Sequence, residues 1–167
     1  MATTRYTFTP ESAGFPTSAF AALTQIGTGT YARLVLAFDG ATDEDAFWTF
    51  VAPQGLSGAL SAVISYCMAS AVTGTVRFEA KIEATTPGDT DDLDAAAHFG
   101  TTNSNGGTVP ATTAGKMGQI EVTLTNADSI AAGDYCRLNI HRDADGTTGT
   151  DDVTTDLYVL AVELREA

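Results

Sequence analysis

A strict alternation of apolar and polar side chains in TVRFEAKIEA, residues 75–84, constrains the fold more than any other feature of the chain. The apolar positions are Val76, Phe78, Ala80 and Ile82, and the charged positions between them are Arg77, Glu79, Lys81 and Glu83. Successive side chains of a β-strand point to opposite faces of the sheet. The segment is therefore predicted to be a strand with one face in a core and the other in water.

Other segments repeat this period or form a continuous apolar run bounded by turn residues. They lie at residues 31–38, 46–52, 59–70, 119–125, 134–142 and 156–166, with a weaker one near Ala95 to Phe99. The long stretch 101–115 has turn residues but no packing pattern, and no long amphipathic helix is evident. About eight strands separated by turns predict an all-β fold, a two-sheet antiparallel sandwich of jelly-roll type.

The first 30 residues differ from the rest because they carry few charges and no regular period. We predict two parts, an N-terminal extended arm at 1–30 and a β-sandwich domain at 31–167. The aromatic side chains of the arm are the candidate partner-binding residues: Tyr6, Phe8, Phe15 and Phe20. The arm is expected to pack on its own body or on a neighbour, and the competing interpretation is a disordered leader.

The chain is strongly acidic, with 21 acidic and 8 basic side chains and a formal charge of -13. Nucleic acid is not an expected partner, since binding phosphates requires clustered cations. Nine aspartates fall in the stretches 87–94 and 143–156, where the order Asp143, Asp145, Gly146 begins like a calcium loop. The closing glutamate of such a loop is missing, because residue 154 is threonine. We predict solvated acidic loops and no metal site.

No catalytic set is recognisable, so we predict no catalytic residue, no cofactor and no enzymatic activity. His98 and His141 stand apart from any nucleophile, and the strand carboxylates Glu79, Glu83, Glu121 and Glu163 fall on predicted solvated faces. Trp48, with Phe47 and Phe50, could form a sugar-stacking platform, but an apolar strand favours core packing for these rings.

The cysteines and the N-terminus indicate the cellular setting. Cys67 and Cys136 fall inside strands, which favours free buried thiols over a disulfide between neighbouring strands. No segment approaches the roughly 20 apolar residues of a membrane span, and the N-terminus lacks a secretory signal. We therefore expect a protein made in a cytosol that does not bind membranes.

Three segments resemble small β-sandwich virion proteins of tailed bacteriophages: LAFDGATDEDAFWTFVAPQG, RDADGTTGTDDVTTD and DLYVLAVELRE. The similarity covers roughly residues 31–166 and lies in structural motifs without a catalytic signature. It implies a capsid decoration (cement) protein on the surface of the virion, made in the host cytoplasm. The implied partners are the major capsid protein and further copies of the chain, as a homotrimer.

The alternative is a tail-fibre or receptor-binding head that recognises glycans on the host surface. The two interpretations share the fold and differ in what precedes it, since a fibre head usually follows a coiled coil or a repetitive shaft. A small glycan-active enzyme is a third interpretation, which the missing acid/base pair disfavours.

Overall fold

A computed structural model describes residues 2–56, 58–94, 97–110 and 113–167. Within those residues it contains ten strands: β1 Thr3–Phe8, β2 Ala22–Ile26, β3 Arg33–Phe38, β4 Glu44–Val51, β5 Leu60–Met68, β6 Thr75–Thr85, β7 Asn103–Thr108, β8 Met117–Leu124, β9 Tyr135–Arg142 and β10 Leu157–Glu166. The described helices are three short 3-10 turns: Pro10–Ser12, Gly29–Tyr31 and Ala127–Ser129. None of them has the length and apolar character needed to cross a membrane.

The strands form two antiparallel sheets. The larger sheet has the order β2-β3-β10-β5-β8, and the smaller sheet has the order β4-β9-β6-β7. β1 joins the larger sheet beside β3, because β3 pairs with residues 157–159 of β10 and β1 pairs with residues 162–166. The predicted all-β, two-sheet antiparallel sandwich is confirmed, with ten described strands instead of about eight.

The core lies between the apolar faces of the two sheets. All four predicted inward positions of β6 are buried: Val76, Phe78, Ala80 and Ile82. Trp48 and Phe50 also enter the core, which confirms core packing for these two rings. The indole Nε1 of Trp48 donates a hydrogen bond of 2.9 Å to the carbonyl of Thr9, so its polar atom is satisfied.

The N-terminal segment packs on the chain's own sandwich, one of the two placements expected for an arm. Phe8 lies opposite Val162 of β10, and its ring is buried in the core. A register shift between Thr4 and Tyr6 breaks the side-chain alternation of β1. This irregularity explains why the sequence shows no period of 2 there. A domain boundary at residue 30 stays a prediction.

The weak strand predicted near Ala95 to Phe99 is wrong where it can be assessed. Ala95 and Ala96 lie outside the described residues, and residues 97–100 form no strand. The strand is β7, inside the segment expected to lack a packing pattern. β7 is the edge strand of the smaller sheet, and its side chains are polar or absent. Backbone pairing with β6 defines it, so no apolar alternation marks it in the sequence.

Both thiols are free and buried, as predicted. Burial raises the pKa of the Cys136 thiol to about 12 and also raises the pKa of Cys67. Neither thiol is therefore a reactive nucleophile at neutral pH.

Arg142, at the end of β9, is a fully buried guanidinium. Its Nε and Nη2 atoms donate to the two carboxylate oxygens of Asp151 at 3.1 and 3.2 Å, and the Asp151 side chain is 0% exposed. Arg142 also donates to the carbonyls of Asp39 at 2.9 Å, Thr155 at 3.0 Å and Val153. These acceptors lie after β3 and in the loop between β9 and β10. One side chain thus attaches both loops to the sandwich.

The two acidic loops have different structures. The aspartates of the first loop are exposed, as predicted: Asp89, Asp91, Asp92 and Asp94. In the second loop the prediction of solvated aspartates is wrong for Asp143 and Asp151, whose side chains are buried. Both accept several hydrogen bonds from the protein, which replace those from water.

Replacing Arg142 with methionine should lower the free energy of unfolding by about 3–5 kcal/mol, because Asp151 would keep a buried charge without its partner. Urea denaturation followed by tryptophan fluorescence measures this change.

Arg33→Met, at an exposed arginine of β3, is the matched control and should change stability by less than about 0.5 kcal/mol. Equal denaturation midpoints for Arg142→Met and the wild type would contradict a structural role for the buried pair.

Candidate functional site

The solvent-facing side of the smaller sheet collects polar and aromatic side chains in three rows. Since β4, β9 and β6 pair in register, residues at matching positions lie side by side. The rows are Asp45, His141, Glu79; Phe47, Asn139, Lys81; and Thr49, Arg137, Glu83. We refer to these residues as the outer face. Alternation of the three strands puts them opposite the core, so every one of them points away from it.

His141 holds the first row together. Its Nδ1 atom lies 3.3 Å from Asp45 Oδ1, and its Nε2 atom lies 3.6 Å from Asp43 Oδ2. Asn139 Nδ2 donates to the same Asp45 oxygen at 2.9 Å. Burial lowers the His141 pKa, but the hydrogen bond to Asp45 and the charges of Asp45, Glu79 and Asp43 outweigh it, so the pKa is raised. The surroundings therefore stabilise the imidazolium form more than water does.

The pKa of the Asp45 carboxyl group is shifted in the opposite direction from that of His141. Burial raises its pKa, whereas hydrogen bonds from His141 and Asn139 lower it, and the net result is a pKa below the ordinary value. Asp45 is consequently an anion at neutral pH that is already bound by two side chains of the face.

Arg137 organises the third row. It forms an ion pair with Glu83, with Arg137 Nε and Nη2 each 2.8 Å from Glu83 Oε2. Its guanidinium lies 5.3 Å from the ring centre of Phe47 and 4.9 Å from that of Phe99. The other oxygen of Glu83 accepts the backbone N–H of His98 at 2.6 Å. The segment that carries Phe99 is therefore tied to the sheet.

Glu83 corrects a sequence-based expectation. Its place in the alternation predicted a solvated carboxylate, but the residue is only 4% exposed. Arg137 and the segment around His98 cover it. The alternation identified its face correctly, and only the fold brings the covering segment to that face.

Glu79 and Lys81 differ from the other charged residues of the outer face. Among the described residues, neither has an ion pair within 4.0 Å or a side-chain hydrogen bond, although Lys81 Nζ lies 5.0 Å from the ring centre of Phe99. The pair thus offers an acceptor and a donor, two residues apart on one strand, beside an aromatic ring. Neither group therefore has to break an ion pair or a side-chain hydrogen bond in order to bind a ligand.

The edge of β4 that faces away from β9 is covered by the segment 14–20. Gly14 exchanges two backbone hydrogen bonds with Phe47, of 2.7 and 3.0 Å, and Phe20 forms a parallel bridge with Asp45. The rings of Phe15 and Phe20 lie 5.8 Å apart and are exposed, at 38% and 44% of their residue surface. These two predicted partner-binding residues are therefore displayed next to the outer face.

The other two predicted partner-binding residues pack on the core, Phe8 as a buried residue and Tyr6 as a partly buried one. Phe8 is buried, and Tyr6 packs on Phe8 and Phe50 while its hydroxyl donates to the carbonyl of Val51. Both are committed to the chain's own core. A role for any of the four in binding a partner stays a prediction.

The side chain of Phe47 points to the opposite side of the sheet from those of Trp48 and Phe50. Trp48 and Phe50 point into the core, whereas Phe47 points to the outer face and contacts Arg137. The expectation of core packing is therefore wrong for Phe47, because residues one apart on a strand face opposite sides of the sheet.

The second acidic loop meets the start of β4. Carboxylate oxygens of Asp43, Asp143 and Asp145 lie within 4.8 Å of one another, a grouping that the sequence does not indicate because Asp43 is far away along the chain. Thr147 and Thr148 donate to Asp143 through both backbone and hydroxyl groups. Burial raises the Asp143 pKa, but these hydrogen bonds outweigh it and lower the pKa overall. Hydrogen-bond donors of the loop itself therefore satisfy the Asp143 carboxylate.

Comparison with solved structures gives likenesses to carbohydrate-binding modules. The second CBM22 xylan-binding domain of Paenibacillus barcinonensis Xyn10C matches with a TM-score of 0.50 and 14% identity, over 97% of this chain and 99% of that one. The first CBM22 domain of the same protein matches with a TM-score of 0.48 and 9% identity, over 96% and 92%. A family 11 carbohydrate-binding module from Clostridium thermocellum matches with a TM-score of 0.47 and 7% identity, over 95% and 86%.

No protein-family model matches the chain. No curated protein matches it either. At these identities the structural likeness establishes the β-sandwich fold and nothing finer.

The prediction of a capsid decoration protein is wrong. It rested on strand and turn motifs, which describe a β-sandwich and not its task, and a solved structure that matches over nearly the whole of both chains is described as a xylan-binding domain. The homotrimer that the same resemblance implied stays a prediction.

Replacing His141 with glutamine should destabilise the protein more at acidic than at alkaline pH. Folding raises the His141 pKa, so its stabilising charge is fully present below the unfolded value of 6.5 and is lost as the pH rises through the folded value. The difference in free energy of unfolding between wild type and variant should therefore be larger at about pH 5.5 than at about pH 8.5.

Urea denaturation at a series of pH values measures this difference. His98→Gln, at the exposed second histidine, controls for the loss of a histidine as such. A difference that stays constant across the series would show that the His141 charge does not stabilise the fold.

Proposed function

We propose that this protein binds glycans through the outer face and does not turn them over. The observation that carries the proposal is the pair Glu79 and Lys81, which has no ion-pair or side-chain hydrogen-bond partner among the described residues. Sugars present neighbouring hydroxyl groups that both donate and accept hydrogen bonds. A carboxylate and an ammonium group on residues whose Cα atoms lie about 7 Å apart along one strand can bind such groups without any need to break an existing ion pair.

Aromatic rings beside the pair supply the apolar part of such a site. Phe99 lies next to Lys81, and Phe47 lies in the same row of the sheet. The C–H face of a sugar ring is apolar and packs on an aromatic ring, while its hydroxyl groups point to polar neighbours. Arg137 and Glu83 hold both rings in place before a ligand arrives, which reduces the entropy lost on binding.

The fold supports the same proposal. A solved structure that shares it across both chains is described as a xylan-binding domain. This likeness favours the glycan-recognition alternative considered from the sequence, a receptor-binding head for host-surface glycans, over capsid decoration. The source of the glycan, plant-type or bacterial, is a matter for direct binding tests.

Binding without hydrolysis agrees with the charges of the face. Glycoside hydrolysis needs one carboxylic acid whose pKa is raised, so that it can protonate the leaving oxygen. The carboxyl group of Asp45, across the face from Glu79, has a lowered pKa and is held by His141 and Asn139. It is therefore unsuited to act as a general acid.

Glu79→Gln and Lys81→Gln should each weaken glycan binding by roughly 5- to 20-fold, since each removes one charge-assisted hydrogen bond to the ligand. A suitable panel contains xylan, mixed-linkage β-glucan, peptidoglycan and lipopolysaccharide, with affinity gel electrophoresis and isothermal titration calorimetry as the measurements.

Glu11→Gln and Lys116→Gln are matched controls, because both residues are exposed and lie off the outer face. Absence of binding to the whole panel by the wild type, or equal losses for the controls, would overturn the proposed function.

A further inference from the structure

The exposed pair Phe15 and Phe20 lies outside the core cluster of the described residues. Both rings lie at the edge of β4 that faces away from β9, and the residues on either side make the structural contacts. Gly14 pairs with Phe47, and Ala21 donates its N–H to Asp45 and is fully buried. Two large apolar rings are thus fixed in place while keeping much of their surface in contact with water.

The backbone around the pair is held rigidly. Asp45 donates its N–H to the carbonyl of Ala19 at 3.0 Å, and Ala19 adopts a left-handed conformation with φ 53°. A non-glycine residue in this conformation carries a cost that the surrounding hydrogen bonds must offset. The turn fixes the backbone next to Phe20. The ring of Phe20 is therefore positioned before any ligand binds.

The pair continues the outer face beyond β4. Bridge partners point to the same side of a sheet, so Phe20 lies on the same side as Asp45 and extends the row that ends at Glu79. Gly14 stands at the same place in the row of Phe47 and Lys81, and a glycine there leaves the ring of Phe47 accessible from the edge. Three strand spacings separate Phe20 from Glu79, which is about 14 Å.

We propose that Phe15 and Phe20 form a second contact for the glycan that occupies Glu79 and Lys81. The site then binds an internal stretch of a polysaccharide that crosses the strands, and not a single terminal sugar. This inference rests on the proposed function and adds the length of the ligand to it. Phe20 stacks on one sugar of the chain, and the Glu79 and Lys81 pair hydrogen bonds to another further along.

A series of fragments from disaccharide to hexasaccharide tests the inference. The fragments come from xylan, or from whichever polysaccharide of the panel the wild type binds. For the wild type, the affinity measured by calorimetry should rise by about tenfold or more as the fragment becomes long enough to reach both contacts. For Phe20→Ala this increase should disappear, while the affinity for the shortest fragment stays within about twofold of the wild type.

Further variants separate stacking from general effects. Phe20→Trp keeps an aromatic ring and should retain the length dependence, whereas Phe20→Leu keeps an apolar side chain and should lose most of it. Tyr31→Ala is the matched control, because Tyr31 is an exposed aromatic residue away from the outer face. Circular dichroism and the urea midpoint establish that each variant is folded.

The outcomes distinguish the inference from the function on which it rests. Equal losses of affinity for all fragment lengths in Phe20→Ala, or no length dependence in the wild type, would overturn the second contact and leave glycan binding intact. A change in the solution mass of Phe20→Ala by light scattering, without a change in length dependence, would assign the pair to a contact between copies and also overturn it. No binding of any fragment or polymer would overturn both.

Discussion

The buried ion pair between Arg142 and Asp151 is the interaction on which the arrangement of the loops depends. A guanidinium without solvent contact requires an acceptor for each of its donors, and here the acceptors come from Asp151 and from backbone carbonyls after β3 and before β10. The pair therefore holds the long acidic loop against the sandwich. Asp145 of that loop donates its N–H to Asp43, beside His141. The Arg142–Asp151 pair thus also helps to position the loop residues that lie beside His141, at one end of the outer face.

The outer face combines charges that are bound within the protein with charges that are not. His141 lies between Asp43 and Asp45, and Arg137 is bound by Glu83 between two aromatic rings. These contacts make the face rigid, since each side chain has little freedom left to lose when a ligand binds. Glu79 lies next to His141 in the first row, Lys81 lies in the middle row, and both keep their hydrogen-bonding capacity. A rigid frame around uncommitted polar groups is the arrangement expected of a preorganised binding surface.

Alternation and apolar runs in the sequence predicted the strands whose apolar side chains form the core. In β6 alternation separates buried Phe78 from solvent-facing Glu79 correctly, whereas the aromatic run of β4 led to the wrong expectation that Phe47 packs in the core with Trp48. It could not predict β7, because an edge strand of small polar residues is held by backbone hydrogen bonds and needs no apolar face. Nor could it predict β1, whose register shift interrupts the period. The similarity to virion proteins failed for a related reason, since strand and turn motifs record a fold and not a ligand.

By itself, the sequence determined the fold class, the inward face of β6 and the burial of both thiols, because each follows from the residue pattern within single strands. Only the tertiary structure decided which charges are free. Glu79 and Glu83 occupy equivalent positions in the alternation, yet Glu83 is buried against Arg137 and Glu79 is not. Likewise, Phe20 joins the row of Glu79 only through its bridge to Asp45. Pairing between distant segments leaves no local trace in the chain, so the outer face and the aromatic residues beside it come together only once the sheet has formed.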